Sequence, residues 1–244
     1  MLTKTLSSLP ILFCFAACSI APPGTDIHDP FEQSNRQVHA FNKSIAASFG
    51  GNDDGSDGPR IPEAISLPVI NVAENLSLPG IVVNNLLQAD LEGGVANTAR
   101  FLVNSTVGVL GLFDPADAIG LTEVDTDFGA TLAAWGVPEG AYLELAFVGP
   151  TTERDATGDI VDIFLDPLGQ VLSDDEALLA SAFGIAGRVA KIDQSGDVIG
   201  DVLNESADSY AQTRLIYLQN RRFELGQDAP AAVDPYEELF GVIE

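Results

Sequence analysis

The stretch Leu78–Asp114, LPGIVVNNLLQADLEGGVANTARFLVNSTVGVLGLFD, limits the possible folds more than any other part of the chain. It reads as two amphipathic helices joined at Asp90, followed by a hydrophobic loop. In the first helix Val82, Val83, Leu86 and Leu87 fall on one face while Asn84, Asn85 and Gln88 fall on the other; in the second, Leu91, Val95, Ala99, Leu102 and Val103 recur at helical spacing. Asp90 carries a side chain suited to cap the second helix. From Phe101 to Phe113 there is no charged side chain, yet these thirteen residues fall short of the roughly 20 that a helix needs to cross a hydrocarbon layer. Such a segment is either protein core or dips into one leaflet, and both readings stay open at this point.

Charge narrows the partners. The 244 residues hold 11 Lys plus Arg against 36 Asp plus Glu, a formal net charge of −25, so nucleic acid and strongly anionic bilayers are poor partners on electrostatic grounds. A chain of this length buries one substantial core, and a single extended domain is expected.

Residues 1–17 combine a cation at Lys4, an apolar run from Leu9 to Phe15 and the small residues Ala16 and Ala17 before Cys18, which is the pattern of a secretory signal. FAAC matches the lipoprotein cleavage pattern, which implies lipidation at Cys18 and a stable acyl anchor. Cys14 is lost with the signal, so the processed chain has no intrachain disulfide. Ser19 is not the Asp that retains lipoproteins in the inner membrane of Gram-negative cells, and the outer membrane is the expected destination. Residues 18–28 form a lipidated tether.

Folded sequence is expected over residues 29–225, with an acidic tail at 226–244. Pro30 suits the first turn of a helix whose stripe is Phe31, Val38, Phe41 and Ile45. The acidic loop Gly51–Arg60 loosely mimics a calcium loop through Asn52, Asp54, Ser56 and Glu63, but Asp57 stands where the turn calls for Gly, so a solvated loop is expected. Ile61 to Leu76, interrupted by Pro68, is expected to be irregular or a short helix. A helix should end near Gly136, and Gly136, Pro138 and Gly140 form a hinge-like loop. It leads into a short extended segment, Tyr142–Val148. Thr152 with Asp155 marks a helix start, Pro167 a stop, and Asp174 opens a helix through Leu178, Ala182, Ile185 and Val189. The last long helix is placed at about Asp197–Phe223, with Leu203, Ala207, Ala211, Leu215 and Leu218 on one face. Arg214, Arg221 and Arg222 cluster near its C-terminus, where they either complement the helix dipole or form a cationic patch for an anionic headgroup or acidic partner.

Catalytic chemistry has little support. His28 and His39 lack metal-ligand spacing, there is no HExxH, CxxC or GxSxG arrangement, and carboxylate pairs such as Asp125 with Asp127 are expected by chance among 36 acids. No enzyme, catalytic residue, metal or cofactor is expected.

Five blocks in one order resemble the MlaA (VacJ) lipoproteins: DPFEQSNRQVHAFN from Asp29, NLSLPGIVVNNLLQAD from Asn75, ARFLVNSTVGVLGLFDPA from Ala99, DFGATLAAWGVPEGAYLELAFVGPTTERDATG from Asp127, and YAQTRLIYLQNRRFEL from Tyr210. The resemblance implies an all-α fold: one helical ring of amphipathic helices lying in one membrane leaflet around an amphipathic channel, with no catalytic activity. It implies a lipid-anchored outer-membrane protein, facing the periplasm, that maintains lipid asymmetry by passing mislocalised phospholipid toward a periplasmic lipid-carrier protein. It also implies contact with an outer-membrane porin. The alternative is an envelope lipoprotein that scaffolds a porin without lipid transfer. By the same resemblance Phe41 and Asn42 fall in the segment that controls the channel, and Gly136, Gly140 and Tyr142 in the loop lining it. Pro138 stands where Gly is common and stiffens that loop; Gly51–Arg60 replaces a longer, more apolar and basic stretch.

Overall fold

The computed structural model describes residues 27–48, 61–194 and 206–227. Cys18, the signal, the tether before residue 27, the Gly51–Arg60 loop, residues 195–205 with Asp197 and Leu203, and the tail from residue 228 lie outside the described residues. Nine helices and one hairpin follow in order among those described: α1 (Glu32–Ser48), α2 (Glu63–Leu87), α3 (Leu91–Thr106), α4 (Pro115–Ala118), α5 (Phe128–Ala134), β1 (Tyr142–Leu145), β2 (Gly149–Thr152), α6 (Glu153–Leu165), α7 (Pro167–Val171), α8 (Asp174–Gln194) and α9 (Ser209–Glu224). The fold is helical, as expected, and the extended segment near 142–148 is one arm of an antiparallel hairpin with Tyr142 opposite Thr152.

The helix starts follow from local chemistry. Asp90, Asp114, Asp127, Thr152, Asp166 and Asp208 each accept a backbone N–H of the first helical turn that follows. At α6 the Thr152 hydroxyl takes the Asp155 N–H and also donates to its carboxylate. Two expectations need correction. Ile61–Leu76 is neither irregular nor short: α2 is continuous through Pro68 and Pro79. Each interior proline removes a hydrogen bond at a cost of about 3 kcal/mol, and packing of α2 along α3 and α8 outweighs that local penalty. The last helix does not run from Asp197 as one piece over the described residues. Ser206–Asp208 is a turn, and α9 begins at Ser209 because Asp208 caps it through the Ala211 N–H.

Helices α5 and α6 meet at backbone distance. A Cβ on Gly158 would stand 2.3 Å from the backbone nitrogen of Gly129, so this contact admits glycine alone. A small aromatic core of Tyr142, Tyr210 and Leu218, with Ile27 and Tyr217 against it, joins the hairpin to α9.

Candidate functional site

The packing of α3 and of the last turns of α2 is inverted relative to a water-soluble protein, although α2 also buries Ile70, Val72, Leu78 and Ile81. Asn75, Asn84, Asn85, Asn97, Arg100 and Asn104 are buried, whereas Leu86, Leu91, Val95, Leu102 and the loop residues Val107, Leu110 and Phe113 are exposed, Val95 by 70% and Leu110 by 72%. The inversion continues around the molecule. Ile160, Ile163 and Phe164 of α6 and Leu178, Leu179, Ile185 and Val189 of α8 are exposed, while Gly187 and Ala190 are the buried positions of α8. Among the described residues, buried polar and charged side chains outnumber buried apolar ones. A soluble monomer exposes apolar patches of a few hundred Å² at most, so a shell of this extent faces something other than water. The core reading of the Phe101–Phe113 run therefore fails: none of its apolar side chains is buried, and Asn104 is the side chain it turns inward.

Most of these buried polar groups are hydrogen-bonded to neighbouring side chains or backbone, which stabilises the inversion, while Asn75 Oδ1 and Arg100 Nε are buried without a partner. Asn97 donates to Asn85 and to the Val124 carbonyl and accepts the Val124 N–H. Arg100 donates to Asp114 at 2.8 Å and to the Leu121 carbonyl, and Asn104 donates to Asp114 while accepting the Ala116 N–H. Asn84 donates to Asp162 at 2.7 Å and accepts from Thr131. Beside Arg100, burial pushes the Glu123 carboxyl up to about 7, with Glu74 and Asp125 adding to the shift and Arg100 and Lys191 opposing it. A carboxyl raised by folding binds more protons in the native chain than in the unfolded one, so its contribution to stability falls as pH rises through 4.5 towards 7. Glu123→Gln is therefore expected to raise the melting temperature at pH 8 more than at pH 4.5; equal shifts at both would contradict this.

Helix α1 and the hairpin are joined by a polar zipper. Asn35, His39 and Asn42 share one face of α1, and each grips the hairpin in turn. Asn35 donates to the Tyr142 carbonyl at 3.1 Å and accepts the Glu144 N–H; His39 meets the Glu144 carboxylate at 2.9 Å; Asn42 donates to the Leu145 carbonyl at 3.0 Å and accepts the Phe147 N–H at 2.9 Å. Phe41 stacks edge-to-face on Phe147 with ring centroids 5.3 Å apart. The apolar stripe expected to bury α1 is thus partly turned outward, and Phe41 is exposed. Phe147, at the exposed tip, holds φ of 66°, a strained value for a bulky residue.

Gly136 and Gly140 both occupy the left-handed region, at φ 86° and 77°, so each needs glycine for conformation alone. The loop between them is tied down at Glu139, which receives two hydrogen bonds from Arg222 and whose carbonyl accepts the Arg154 N–H. The three arginines singled out from sequence all point inward. Arg214 pairs with Asp29 and Arg221 with Asp127 and Asp155, and their guanidinium groups hold α9 against the start of α1, the cap of α5 and the first turn of α6. They form internal ties.

With this geometry in view, comparison with known proteins becomes specific. The family model described as MlaA lipoprotein matches residues 27–224. The chain belongs to the MlaA lipoprotein family. It is similar to the intermembrane phospholipid transport system lipoprotein MlaA of Escherichia coli, 30% identical over 83% of this chain and 82% of that protein. The protein of the same description from Haemophilus influenzae is 27% identical over 92% of this chain and 90% of its own length. A solved chain, from work on the structural basis for maintenance of bacterial outer membrane lipid asymmetry, superposes with TM-score 0.65 and 27% identity, over 81% of this chain and 98% of that chain.

Phe41 and Asn42 meet the hairpin at Leu145 and Phe147, whereas Tyr142 lies at its other end beside Asn35, and Gly136 and Gly140 precede the hairpin in the chain. No sequence motif marks His39, Asn35, Glu144 or Glu139 as a connected group. The spacing of Asn35, His39 and Asn42 was a signal for the zipper's helix side; nothing local in the sequence pairs it with β1, more than a hundred residues away.

Proposed function

We propose that this chain is the outer-membrane lipoprotein of a phospholipid transport system that maintains lipid asymmetry, lying in the periplasmic leaflet and passing mislocalised phospholipid toward a periplasmic carrier. The observation that carries this reading is the inverted polarity. Helices satisfy their own backbone hydrogen bonds, so a helical body with an apolar outside and a hydrogen-bonded polar inside is suited to rest in lipid while offering headgroups a polar route. Its anchor is the acylated Cys18; the nine residues from there to Ile27 reach at most about 30 Å, which keeps the body at the membrane. Phe41, Asn42, Tyr142 and the Gly136–Gly140 loop border the lipid path. The apolar shell is also the surface by which an outer-membrane porin would hold the protein. Passage of lipid needs no bond to be made or broken, and no residue is assigned a catalytic role.

The test is complementation of a Gram-negative strain lacking its own MlaA, with surface-exposed phospholipid as the readout. This chain is expected to lower it to the parental level, and Cys18→Ser to fail through loss of the outer-membrane fraction. Correct fractionation of the unsubstituted chain with surface phospholipid undiminished would overturn the transport reading and favour a scaffold.

A further inference from the structure

We infer that His39 and Glu144 form a buried latch that sets the position of the β1–β2 hairpin against α1 and α9, and that its hold depends on the charge carried by the pair. Among the described residues the contact is the one ionisable, buried grip that α1 has on the strand: the side chains are 7% and 2% exposed and the imidazole Nδ1 lies 2.9 Å from Glu144 Oε1. The second carboxylate oxygen accepts from the Tyr142 hydroxyl at 2.9 Å, and the other ring nitrogen of His39 meets Ser209 Oγ at 3.1 Å, so α1, β1 and α9 converge on one imidazole. Its ring also packs edge-to-face on Tyr210, centroids 5.7 Å apart.

The other charged groups around the pair have partners of their own. On α1, Arg36 is held by Glu32 and Asp208 and lies over the Tyr210 ring; just before α1, Asp29 is held by Tyr210, Arg214 and Asn35. From β1 and α9, Tyr142 and Tyr210 face the pair, and burial, together with Glu144 beside the first and Asp29 beside the second, raises both hydroxyls well above the ordinary range, so they remain donors. Histidine is the side chain whose charge ordinarily changes between pH 5 and 8. The described ion pairs give Glu144 no other cation. With a cationic imidazole the carboxylate is a compensated buried charge; with a neutral one it keeps its hydrogen bonds but loses its counter-charge, which weakens the grip on the strand. Beyond this point the hairpin is held to α1 only lightly. Phe147 is 78% exposed, and Asn42 and Phe41 are its described ties to the helix.

The latch stands on this geometry alone; its consequence for lipid passage rests on the function proposed above. The test uses the full lipidated chain in phosphatidylethanolamine–phosphatidylglycerol vesicles with a spin label at Phe147→Cys, the chain without that substitution serving as the blank. The mobile fraction of the label is expected to rise at least twofold between pH 6 and pH 8. His39→Gln should give a mobile label without pH dependence, Glu144→Gln, in which no buried carboxylate needs a counter-charge, should give an immobile label at pH 8, and the double variant, able to form a neutral amide pair, should restore immobility at both pH values. A label equally immobile at both pH values, in the unsubstituted background and in His39→Gln, would overturn the latch. If the single variants do not fold, the pH series on the unsubstituted background decides. A mobile label in His39→Gln with surface phospholipid unchanged in complemented cells would uphold the latch and overturn the hairpin's role in the lipid path.

Discussion

Arg221→Ala is expected to lower the free energy of unfolding by about 3–5 kcal/mol, the range for removing one partner of a buried ion pair. The side chain is 12% exposed and its Nη2 lies 2.7 Å from Asp127 and 3.1 Å from Asp155. Asp127 caps α5 and Asp155 opens α6, so one guanidinium on α9 clamps the starts of two other helices. Burial pushes the Asp155 carboxyl up, but Arg221 and Arg154 outweigh it and hold the group below the usual carboxylate range. Stability from a depressed carboxyl is present above its unfolded value of 3.8 and is lost as pH falls through the folded one, so the effect of the substitution should shrink in acid. Helix-dipole loss alone amounts to about 0.3–1 kcal/mol. Urea unfolding at pH 7 separates the two: a change under 1 kcal/mol would reduce Arg221 to a dipole role.

The second large effect concerns membrane affinity. Replacing Leu102, Leu110 and Phe113 together by Asp is expected to leave the fold intact in detergent, because these side chains are 57%, 72% and 64% exposed and touch little within the protein. Each apolar side chain transferred from water into hydrocarbon contributes roughly 1.5–3 kcal/mol, so losing three should weaken vesicle binding of the unlipidated chain by about a thousandfold or more. Co-sedimentation with vesicles measures it. Binding unchanged within threefold would mean that this loop lies outside the membrane.

Much of the fold was legible because helix caps are local. Asp90 and Thr152 with Asp155 announced their helices, and the structure places a helix start at each. Where α2 crosses Pro68 and Pro79, the local signal pointed to interruption and packing against α8 prevailed, a distant contact that no window of sequence contains. The polarity of α2 and α3 was visible as two faces, Leu86 and Leu87 against Asn84 and Asn85, but periodicity fixes the spacing of a stripe and not which side is buried. The arginines of α9 show the same limit. Their proximity in sequence suggested a shared patch, whereas Arg214, Arg221 and Arg222 reach different carboxylates at Asp29, Asp127, Asp155 and Glu139.

Everything proposed for this chain rests on its apolar outside lying in lipid, and one label tests that. With Cys18 acylated, Leu110→Cys supplies a single thiol on the most exposed part of the apolar loop. Spin-labelled there and placed in vesicles, the protein is expected to show frequent collisions with membrane-dissolved oxygen and few with a water-soluble nickel chelate. A label relaxed mainly by the nickel chelate, in protein that floats with the vesicles, would place the loop in water and contradict the account.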